Sequence, residues 1–262
     1  MKLFFRQFGE GSPVIILHGL FGLSDNWVSI SKRIAKEFAV YIPDLRNHGQ
    51  SEHSPTMNYP AMTDDILEFM EAHNLENVIL IGHSMGGKVA MNFALDHPDL
   101  LAQLVVIDIS PRRYSARSVH SDIINAMLSV NLQNVSSRGQ VESMLQNALP
   151  DKRIRQFILK NLYYRSANAL AWRPNLEAIQ NNLDSIFDGI HEGRSFKKPA
   201  LFVRGGLSDY IMPSDESLIY RMFPRAKIKT IPSATHWVHA DAPKELCHLL
   251  SVTLGKECAS DQ

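Results

Sequence analysis

Short apolar segments rich in β-branched residues alternate along this chain with longer segments in which apolar residues recur at helical spacing. The apolar segments predict strands at residues 14–19, 39–45, 77–84, 101–110, 200–206 and 226–236. Most of them are apolar at every position, which is typical of strands buried on both faces of a parallel sheet. The helical segments lie at about residues 27–37, 60–73, 86–96, 214–223 and 241–254. This alternation predicts an open α/β sheet with helices on both faces, and residues 2–11 favour an additional edge strand.

The alternation is interrupted between residues 111 and 198, where the pattern shows no convincing strand. Helical periodicity recurs there in HSDIINAMLSV, QVESMLQNAL and DKRIRQFILKNLYYR. A structureless loop of that length is uncommon in a compact domain, so we expect a helical insertion. We place it above the carboxyl ends of the strands, where open α/β sheets bind their ligands. The predicted organisation is a core domain of residues 1–110 and 199–262 with a helical cap, or lid, of residues 111–198.

Composition narrows the classes of function. The 262 residues are 45% hydrophobic, which is enough for one large core with an insertion. Lys+Arg and Asp+Glu each number 27, and a formal net charge of zero does not fit nucleic-acid binding. The two cysteines, Cys247 and Cys258, have no CxxC spacing, which fits a reducing, cytoplasmic compartment. The pattern shows neither a signal peptide nor an apolar run long enough to span a membrane, so we expect a soluble protein.

Residues 79–89, ILIGHSMGGKV, fit two different motifs. The phosphate-binding loop G-x-x-x-x-G-K-[ST] matches as far as Lys88, but Val89 stands where a hydroxyl would bind Mg²⁺. The nucleophile elbow G-x-S-x-G matches completely around Ser84. The motif therefore favours a serine nucleophile over a phosphate site.

The residues around Ser84 provide the context that a nucleophile elbow needs. Its sharp turn strains the backbone, so the residues two positions away must be small, as Gly82 and Gly86 are. A buried strand precedes Ser84 and a helix-forming segment, KVAMNFAL, follows it. The hydroxyl would stand at a helix N-terminus, where N–H groups and the helix dipole stabilise developing negative charge. The alternative is an incidental serine in a glycine-rich turn, and the flanking pattern favours the nucleophile.

A serine hydroxyl needs a positioned base to take its proton, so a histidine is required. His236, in SATHWVHADAP, follows the last predicted strand and lies after Ser84, as the order Ser, acid, His demands. His239 is the nearby rival. The pair in HWVH could suggest a metal site, but no third ligand group at recognisable spacing accompanies it, so we expect no metal. Four other histidines are interpreted as turn, core or surface residues: His18, His48, His83 and His97. His18 could also hold a neighbouring loop by hydrogen bonding.

The tetrahedral intermediate of acyl transfer needs N–H donors for its oxyanion. One donor is expected from the residue after the nucleophile, Met85, and another from the loop after the third strand. The segment LHGLFG, residues 17–22, ends a predicted strand in a glycine-rich loop. We select the N–H of Leu20 as the second donor, with that of Phe21 as its rival.

Two aspartates are candidates for the acid that orients the histidine. Asp108 ends the predicted strand in VVIDIS, and Asp209 follows the next strand in GGLSDYI. Both lie between Ser84 and His236, so chain order leaves the choice open. Asp209 could instead form a turn, and Asp108 could tie down a neighbouring loop. Asp44, in PDLRNHGQS, precedes the nucleophile and is interpreted as structural.

Over nearly its whole length the chain resembles the α/β-hydrolase superfamily. The resemblance rests on VIILHGLFGLSDNW, PDLRNHGQS, ILIGHSMGGKVA, VIDISPRRY, GGLSDYI and ATHWVHADAP. Within the superfamily the chain is most similar to the YbfF-type esterases and their mitochondrial abhydrolase relatives. Thr235 departs from the glycine that commonly precedes the superfamily's histidine, which bears on the shape of that loop.

The resemblance implies a mostly parallel eight-stranded sheet and a helical cap inserted after the sixth strand. It implies hydrolysis of carboxylic esters or thioesters without a cofactor. It also favours Asp108 as the acid, because YbfF-like enzymes need no carboxylate at the position of Asp209. The implied protein is an esterase in which Ser84, His236 and Asp108 form the catalytic triad.

Substrate preference is less marked in the sequence. Leu, Tyr and Trp side chains in FILKNLYYR and NALAWRPNL could line an apolar acyl pocket or pack the insertion itself. Arg112, Arg113 and Arg117 could attract an anionic group or simply be solvated. We expect a small-molecule ester or thioester with a short-to-medium acyl chain. Other serine-triad chemistry (a C–C hydrolase, lyase or perhydrolase) and a slow ligand receptor are the alternatives, whereas dehalogenases and epoxide hydrolases would place Asp at the elbow.

Overall fold

The computed structural model describes residues 1–115, 118–166 and 169–255, so Arg117 and Cys258 lie outside the described residues. The strands are β1 (Phe5–Phe8), β2 (Ser12–Leu17), β3 (Phe38–Pro43), β4 (Val78–His83), β5 (Leu101–Ile107), β6 (Leu162–Ser166), β7 (Ala169–Trp172), β8 (Ala200–Gly205) and β9 (Ala226–Ile231). Seven of them form one sheet in the order β1-β3-β2-β4-β5-β8-β9. Strand β1 runs antiparallel to β3, whereas the other neighbours in this sheet are parallel. The predicted fold class, a mostly parallel α/β sheet, is confirmed.

Helices cover both faces of this sheet. They are α1 (Val28–Ile34), α2 (Tyr59–Ala72), α3 (Met85–Asp96), α4 (Ser118–Ser129), α5 (Arg138–Leu145), α6 (Lys152–Leu159), α7 (Leu176–Asn181), α8 (Leu183–Phe187), α9 (Glu216–Met222), α10 (Val238–Asp241) and α11 (Pro243–Thr253). Helices α2, α3 and α9 contribute to one apolar cluster, and α1 and α11 contribute to another. Within the described ranges, no helix is both long enough and apolar enough to cross a bilayer.

Strand β2 illustrates why the predicted strands are apolar at every position. Ile15 and Leu17 belong to the apolar cluster on one face of the sheet, whereas Val14 and Ile16 belong to the cluster on the other. All four side chains are 0% exposed. Since successive side chains of a strand point to opposite faces, burial of both faces removes the polar positions that would otherwise alternate with apolar ones.

The number of strands differs from the expectation of eight. Residues 1–255, where described, contribute seven strands to the main sheet, with β1 at its edge, so the insertion follows the fifth strand rather than the sixth. The apolar pattern itself predicted six strands and one edge strand. The eighth strand and the numbering of the insertion came from the resemblance alone.

The insertion between β5 and β8 is not purely helical, which corrects the prediction. Strands β6 and β7 form an antiparallel hairpin after α6, with Leu162 opposite Trp172. The apolar spacing that continues from α6 predicts a helix here, but two adjacent tyrosines favour a strand. Asn161 is buried at the end of α6, and its side chain donates to the carbonyl of Phe21 in the core. This tertiary contact lies between the end of α6 and the start of the hairpin.

Lys88 attaches both ends of the insertion to helix α3. Its Nζ donates to the carbonyl oxygen of Arg112 at 2.6 Å and to that of Asp188. Its side chain is 1% exposed, and burial lowers its pKa to about 7. The lysine that a phosphate-binding loop would direct at a phosphate therefore binds main-chain carbonyls instead.

Candidate active site

The turn between β4 and α3 places the Ser84 hydroxyl at the carboxyl edge of the sheet. Ser84 has a φ of 52°, a conformation that L-residues rarely adopt. A Cβ on Gly82 would lie 2.2 Å from the carbonyl oxygen of Gly86, and one on Gly86 would lie 2.5 Å from that of Leu17. The two glycines of the motif are therefore required by close backbone approach. The first turn of α3 begins directly after the hydroxyl.

The structure brings together three residues that are far apart in the chain. Nε2 of His236 lies 2.9 Å from Oγ of Ser84, and Nδ1 of His236 lies 2.9 Å from Oδ2 of Asp108. The ionised carboxylate can only accept, so Nδ1 carries the ring proton and Nε2 accepts from the hydroxyl. Asp108 is 0% exposed and has a φ of 51°. This arrangement can move a proton from the serine to the imidazole.

Asp209 lies elsewhere. It follows β8 on the exposed wall of the same cavity, and its main-chain carbonyl accepts from Arg112 at 3.2 Å. The neighbouring Ser208 contacts the carboxylate that accompanies His236, because its hydroxyl donates to Oδ2 of Asp108. The N–H of Gly205 donates to the other oxygen of Asp108 at 2.8 Å. Ser208 was not predicted, since a single serine beside a glycine pair carries no distinctive pattern.

Leu20 and Met85, the predicted oxyanion donors, flank Ser84 and line a small cavity of about 20 Å³ with it. Phe21, the rival of Leu20, is already engaged: its N–H donates to Nε2 of His48 at 3.0 Å. A Cβ on Gly19 would lie 3.2 Å from Cβ of Ser84, so the HGLFG loop packs directly against the nucleophile.

Two buried histidines hold this loop in place. The N–H of Leu45 donates to Nε2 of His18 at 3.0 Å, while Nδ1 of His18 donates to the carbonyl of Gly19 at 2.8 Å. Nδ1 of His48 donates to the carbonyl of Arg46 at 3.0 Å. Burial lowers the pKa of His18 to about 4 and that of His48 to about 3, so both rings are neutral at pH 7. The predicted loop-holding contact of His18 is present, and His48 makes a second one.

The surroundings of His236 are aromatic. The Tyr210 ring stacks on the His236 ring with centroids 3.6 Å apart. Nε2 of His83 donates to the carbonyl of His236 at 2.8 Å, and burial lowers the pKa of His83. His239, the rival base, stacks instead on Trp27 with centroids 4.6 Å apart. In the described part of the chain, no three His, Cys, Asp or Glu side chains are grouped so as to hold a metal ion.

A cavity of about 370 Å³ opens beside Ser84, between the sheet and the insertion. Its apolar wall is formed by α4, α6 and two loops of the core: Val119, Ile123, Ile154, Phe157, Leu207 and Trp237. Arg112 does not line it, because this side chain pairs with Asp215 at 3.1 Å and lies 3.9 Å over the Tyr114 ring. Trp172 makes a contact within the insertion, donating from Nε1 to the carbonyl of Met127. The cavity suits an apolar group attached to a reacting carbonyl.

Comparisons with known proteins show the family to which the fold belongs. A family model described as the alpha/beta hydrolase fold matches residues 12–243. The chain is 40% identical over 241 residues to a zebrafish (Danio rerio) sn-1-specific diacylglycerol lipase, covering 90% of this chain and 76% of that protein. It is 33% identical over 234 residues to the esterase YbfF of Escherichia coli, with 89% of each chain covered. A solved marine microorganism esterase superposes with a TM-score of 0.93 at 42% identity, covering 96% of this chain and 99% of that one.

Proposed function

Because this chain belongs to the α/β-hydrolase family, we propose that it is a serine esterase that cleaves carboxylic esters or thioesters of short-to-medium acyl chains. The observation that carries this proposal is the pair of 2.9 Å contacts from His236 to Ser84 and to Asp108. Relatives named as esterases and as a diacylglycerol lipase support ester hydrolysis in particular. The serine at the elbow makes an acyl-serine the intermediate.

In the first half-reaction, Ser84 attacks the ester carbonyl while His236 takes the proton from its hydroxyl. Asp108 holds the imidazole in the tautomer with hydrogen on Nδ1 and stabilises its charged form. The C–O or C–S bond then breaks, and the leaving alcohol or thiol takes the proton from Nε2. The acyl group remains on Ser84.

In the second half-reaction, water replaces the alcohol as the nucleophile. His236 takes a proton from this water as it attacks the acyl carbonyl, and then returns the proton to Oγ of Ser84 as the carboxylic acid leaves. In both halves negative charge develops on the carbonyl oxygen. We assign the main-chain N–H groups of Leu20 and Met85 to this oxygen, because a pre-oriented donor stabilises the oxyanion more than the neutral carbonyl.

The insertion acts as a cap in this proposal. Its helices α4 and α6 supply four of the apolar residues that wall the cavity: Val119, Ile123, Ile154 and Phe157. An acyl chain lying against them would leave water, which contributes about 0.8 kcal/mol for each buried methylene group. Asp151, Arg153 and Asp209 stand at the same cavity, so its charged groups do not favour an anionic ligand.

Hydrolysis of p-nitrophenyl esters and labelling by a fluorophosphonate test the proposal. We expect the wild-type protein to show both, and Ser84→Ala to lose both while keeping its melting temperature within a few degrees. Undiminished labelling of Ser84→Ala would refute the assignment of the nucleophile. Labelling without steady-state turnover would instead identify a slow ligand receptor on the same fold.

A further inference from the structure

Thr235, directly before His236, is bonded to a carboxylate that lies six residues further along the chain. Its main-chain N–H donates to Oδ2 of Asp241 at 2.9 Å, and its hydroxyl donates to the same oxygen. A glycine here, as is common in the superfamily, would keep the first bond and lose the second. Because Thr235 and His236 share a peptide bond, these contacts restrain the backbone of the base.

The other oxygen of Asp241 is held by the insertion. Nη2 of Arg153, on helix α6, donates to Oδ1 of Asp241. The same guanidinium lies 5.2 Å from the centroid of the Trp237 ring, and the Phe157 ring of α6 lies 5.7 Å from that ring. Helix α6 thus contacts the histidine loop (Thr235, His236 and Trp237) on both sides of the base, through Asp241 on one side and Trp237 on the other.

The carboxylate between them is sheltered. The Asp241 side chain is 12% exposed, whereas that of Arg153 is 54% exposed. Burial opposes the ionisation of Asp241, but the hydrogen bonds from Thr235 and Arg153 outweigh it and hold the pKa of this carboxyl below its usual value. Asp241 therefore stays charged and bonded across the pH range in which a histidine base works.

We propose that Arg153, Asp241 and Thr235 form a latch through which the insertion positions His236 for catalysis. The proposal rests on the proposed function, since it concerns the base of that reaction. All three are positioning residues, because they act through the backbone of His236 rather than on the substrate carbonyl. The imidazole must stay within hydrogen-bond distance of two partners at once, and a misplacement of about 1 Å can cost about 10²-fold in rate.

The latch also connects substrate binding to the base. Arg153, Phe157, Thr235 and Trp237 all line the cavity in which we place the acyl group. An acyl chain that packs against α6 and Trp237 therefore touches the residues that hold the histidine loop. An isolated ion pair on the surface would contribute little to stability. The pair of Arg153 and Asp241 differs, because it joins the wall of the substrate cavity to the loop that carries the catalytic base.

Four variants test the latch, and each is measured as rate per active site. Thr235→Val removes the hydroxyl at similar size, and Thr235→Ser restores it. Asp241→Asn removes the shared charge, and Arg153→Met removes the contact from the insertion. Arg221→Met is the matched control, because it breaks an exposed ion pair with Glu192 at 3.1 Å that does not line the cavity. Fluorophosphonate titration counts the folded, reactive sites, so loss of folded protein does not enter the rate.

The proposal predicts slower acylation with little change in KM for p-nitrophenyl acetate. We expect about a fivefold loss in kcat for Thr235→Val, recovered in Thr235→Ser, since one hydrogen bond is removed. Asp241→Asn should lose about 10- to 100-fold and lower the apparent pKa of the pH–rate profile, because the misaligned imidazolium is less stabilised by Asp108. Adding Arg153→Met to Asp241→Asn should cost less than the product of the two single effects, because both changes break the bond between Arg153 and Asp241.

The latch is overturned if Thr235→Val, Asp241→Asn and Arg153→Met keep wild-type kcat per site within about twofold, as the control should. A fall in melting temperature alone would then assign these residues to stability. If Asp241→Asn does not fold, the milder changes at Thr235 and Arg153 decide the question by the same criterion. Failure of the proposed function gives a different result, since the wild-type protein itself would then neither hydrolyse the ester nor react with the fluorophosphonate.

Discussion

The sheet and the insertion contribute to the site in different ways. Ser84, Asp108 and His236 all come from segments that follow strands of the sheet, and Asp108 is 0% exposed. The insertion contributes cavity walls, and one of its lining residues, Val119, is 46% exposed. The reacting groups thus come from the sheet, where the backbone is tightly held. The apolar contact surface comes in part from the insertion, which is less buried. The three candidate reacting groups thus follow strands of the sheet, whereas the insertion supplies part of the cavity wall.

The backbone shows the same contrast. Ser84 and Asp108 both have positive φ, at 52° and 51°, although neither is glycine. Such conformations cost of order 1–3 kcal/mol each and persist only where the surroundings fix them. The N–H of Ser84 donates to the carbonyl of Ile107 and that of Asp108 to Val203, so the neighbouring strands hold both residues. Among the described residues of the insertion, positive φ occurs at Gly193, where no side chain opposes it.

The largest expected effect separates the two candidate acids, Asp108 and Asp209. Asp108→Asn should lower kcat for a p-nitrophenyl ester by about 10⁴-fold, because the imidazole is then held in the wrong tautomer. Asp209→Asn should change kcat by less than about threefold, because its carboxylate is not the one beside His236. Steady-state kinetics of the two variants make the comparison. Equal losses of kcat in both variants would show that Asp108 is not the acid that orients His236.

A second prediction concerns the stability of the loop that the buried histidines hold. His18 has a pKa of about 4 in the folded protein and about 6.5 when unfolded, so between these values the unfolded chain binds more protons. The stabilising effect of the neutral ring is complete above pH 6.5 and is lost as the pH falls towards 4, at a cost of about 3 kcal/mol. Denaturant unfolding from pH 7 to pH 4 measures this slope.

His18→Gln should flatten the slope of unfolding free energy against pH, and the exposed His191 of the insertion provides the control. His191→Gln should leave the slope unchanged. If both variants follow the wild-type curve, the acid sensitivity of the protein does not arise from His18.

The smallest effect is expected in the insertion. Ile154 lines the cavity from α6, so Ile154→Ala should raise KM for p-nitrophenyl octanoate by about 10-fold through loss of apolar contact. For the acetate ester, whose acyl group carries a single methyl, we expect an unchanged KM because little apolar surface is buried. Met144→Ala, at an exposed apolar residue of α5 outside the cavity, is the control. Equal effects on the two esters would mean that α6 does not contact the acyl chain.

Much of the fold could be predicted because buried parallel strands have a distinctive pattern. The predicted positions of α1, α2, α3, α9 and α11 correspond to helices that cover the sheet. The hairpin of β6 and β7 was not predicted, since its apolar spacing continues that of α6, and the bond beside it from Asn161 to the carbonyl of Phe21 joins distant parts of the chain. The count of seven strands followed from the apolar pattern, and the resemblance led to eight.

The candidate site also has a part that the sequence predicts and a part that it does not. The motif around Ser84 and the chain order of His236 were visible as local spacing, and the structure places the two side chains 2.9 Å apart. Ser208, His48 and Tyr210 were not predicted as neighbours of the site, because a single serine, histidine or tyrosine has no local signature. Their contacts exist only where loops from separate strands meet.

By itself, the sequence determined the elements that depend on local physics: strands buried on both faces, a glycine-flanked serine at a strand end, and a histidine after the last strand. The tertiary structure decided which carboxylate accompanies that histidine, which N–H groups remain beside the serine, and how the insertion reaches the base through Arg153. The physical reason is the separation along the chain of the residues that interact. A turn or a buried strand is encoded within a few neighbouring residues, whereas a hydrogen bond such as that from His236 to Asp108, 128 residues apart, exists only after the sheet has assembled.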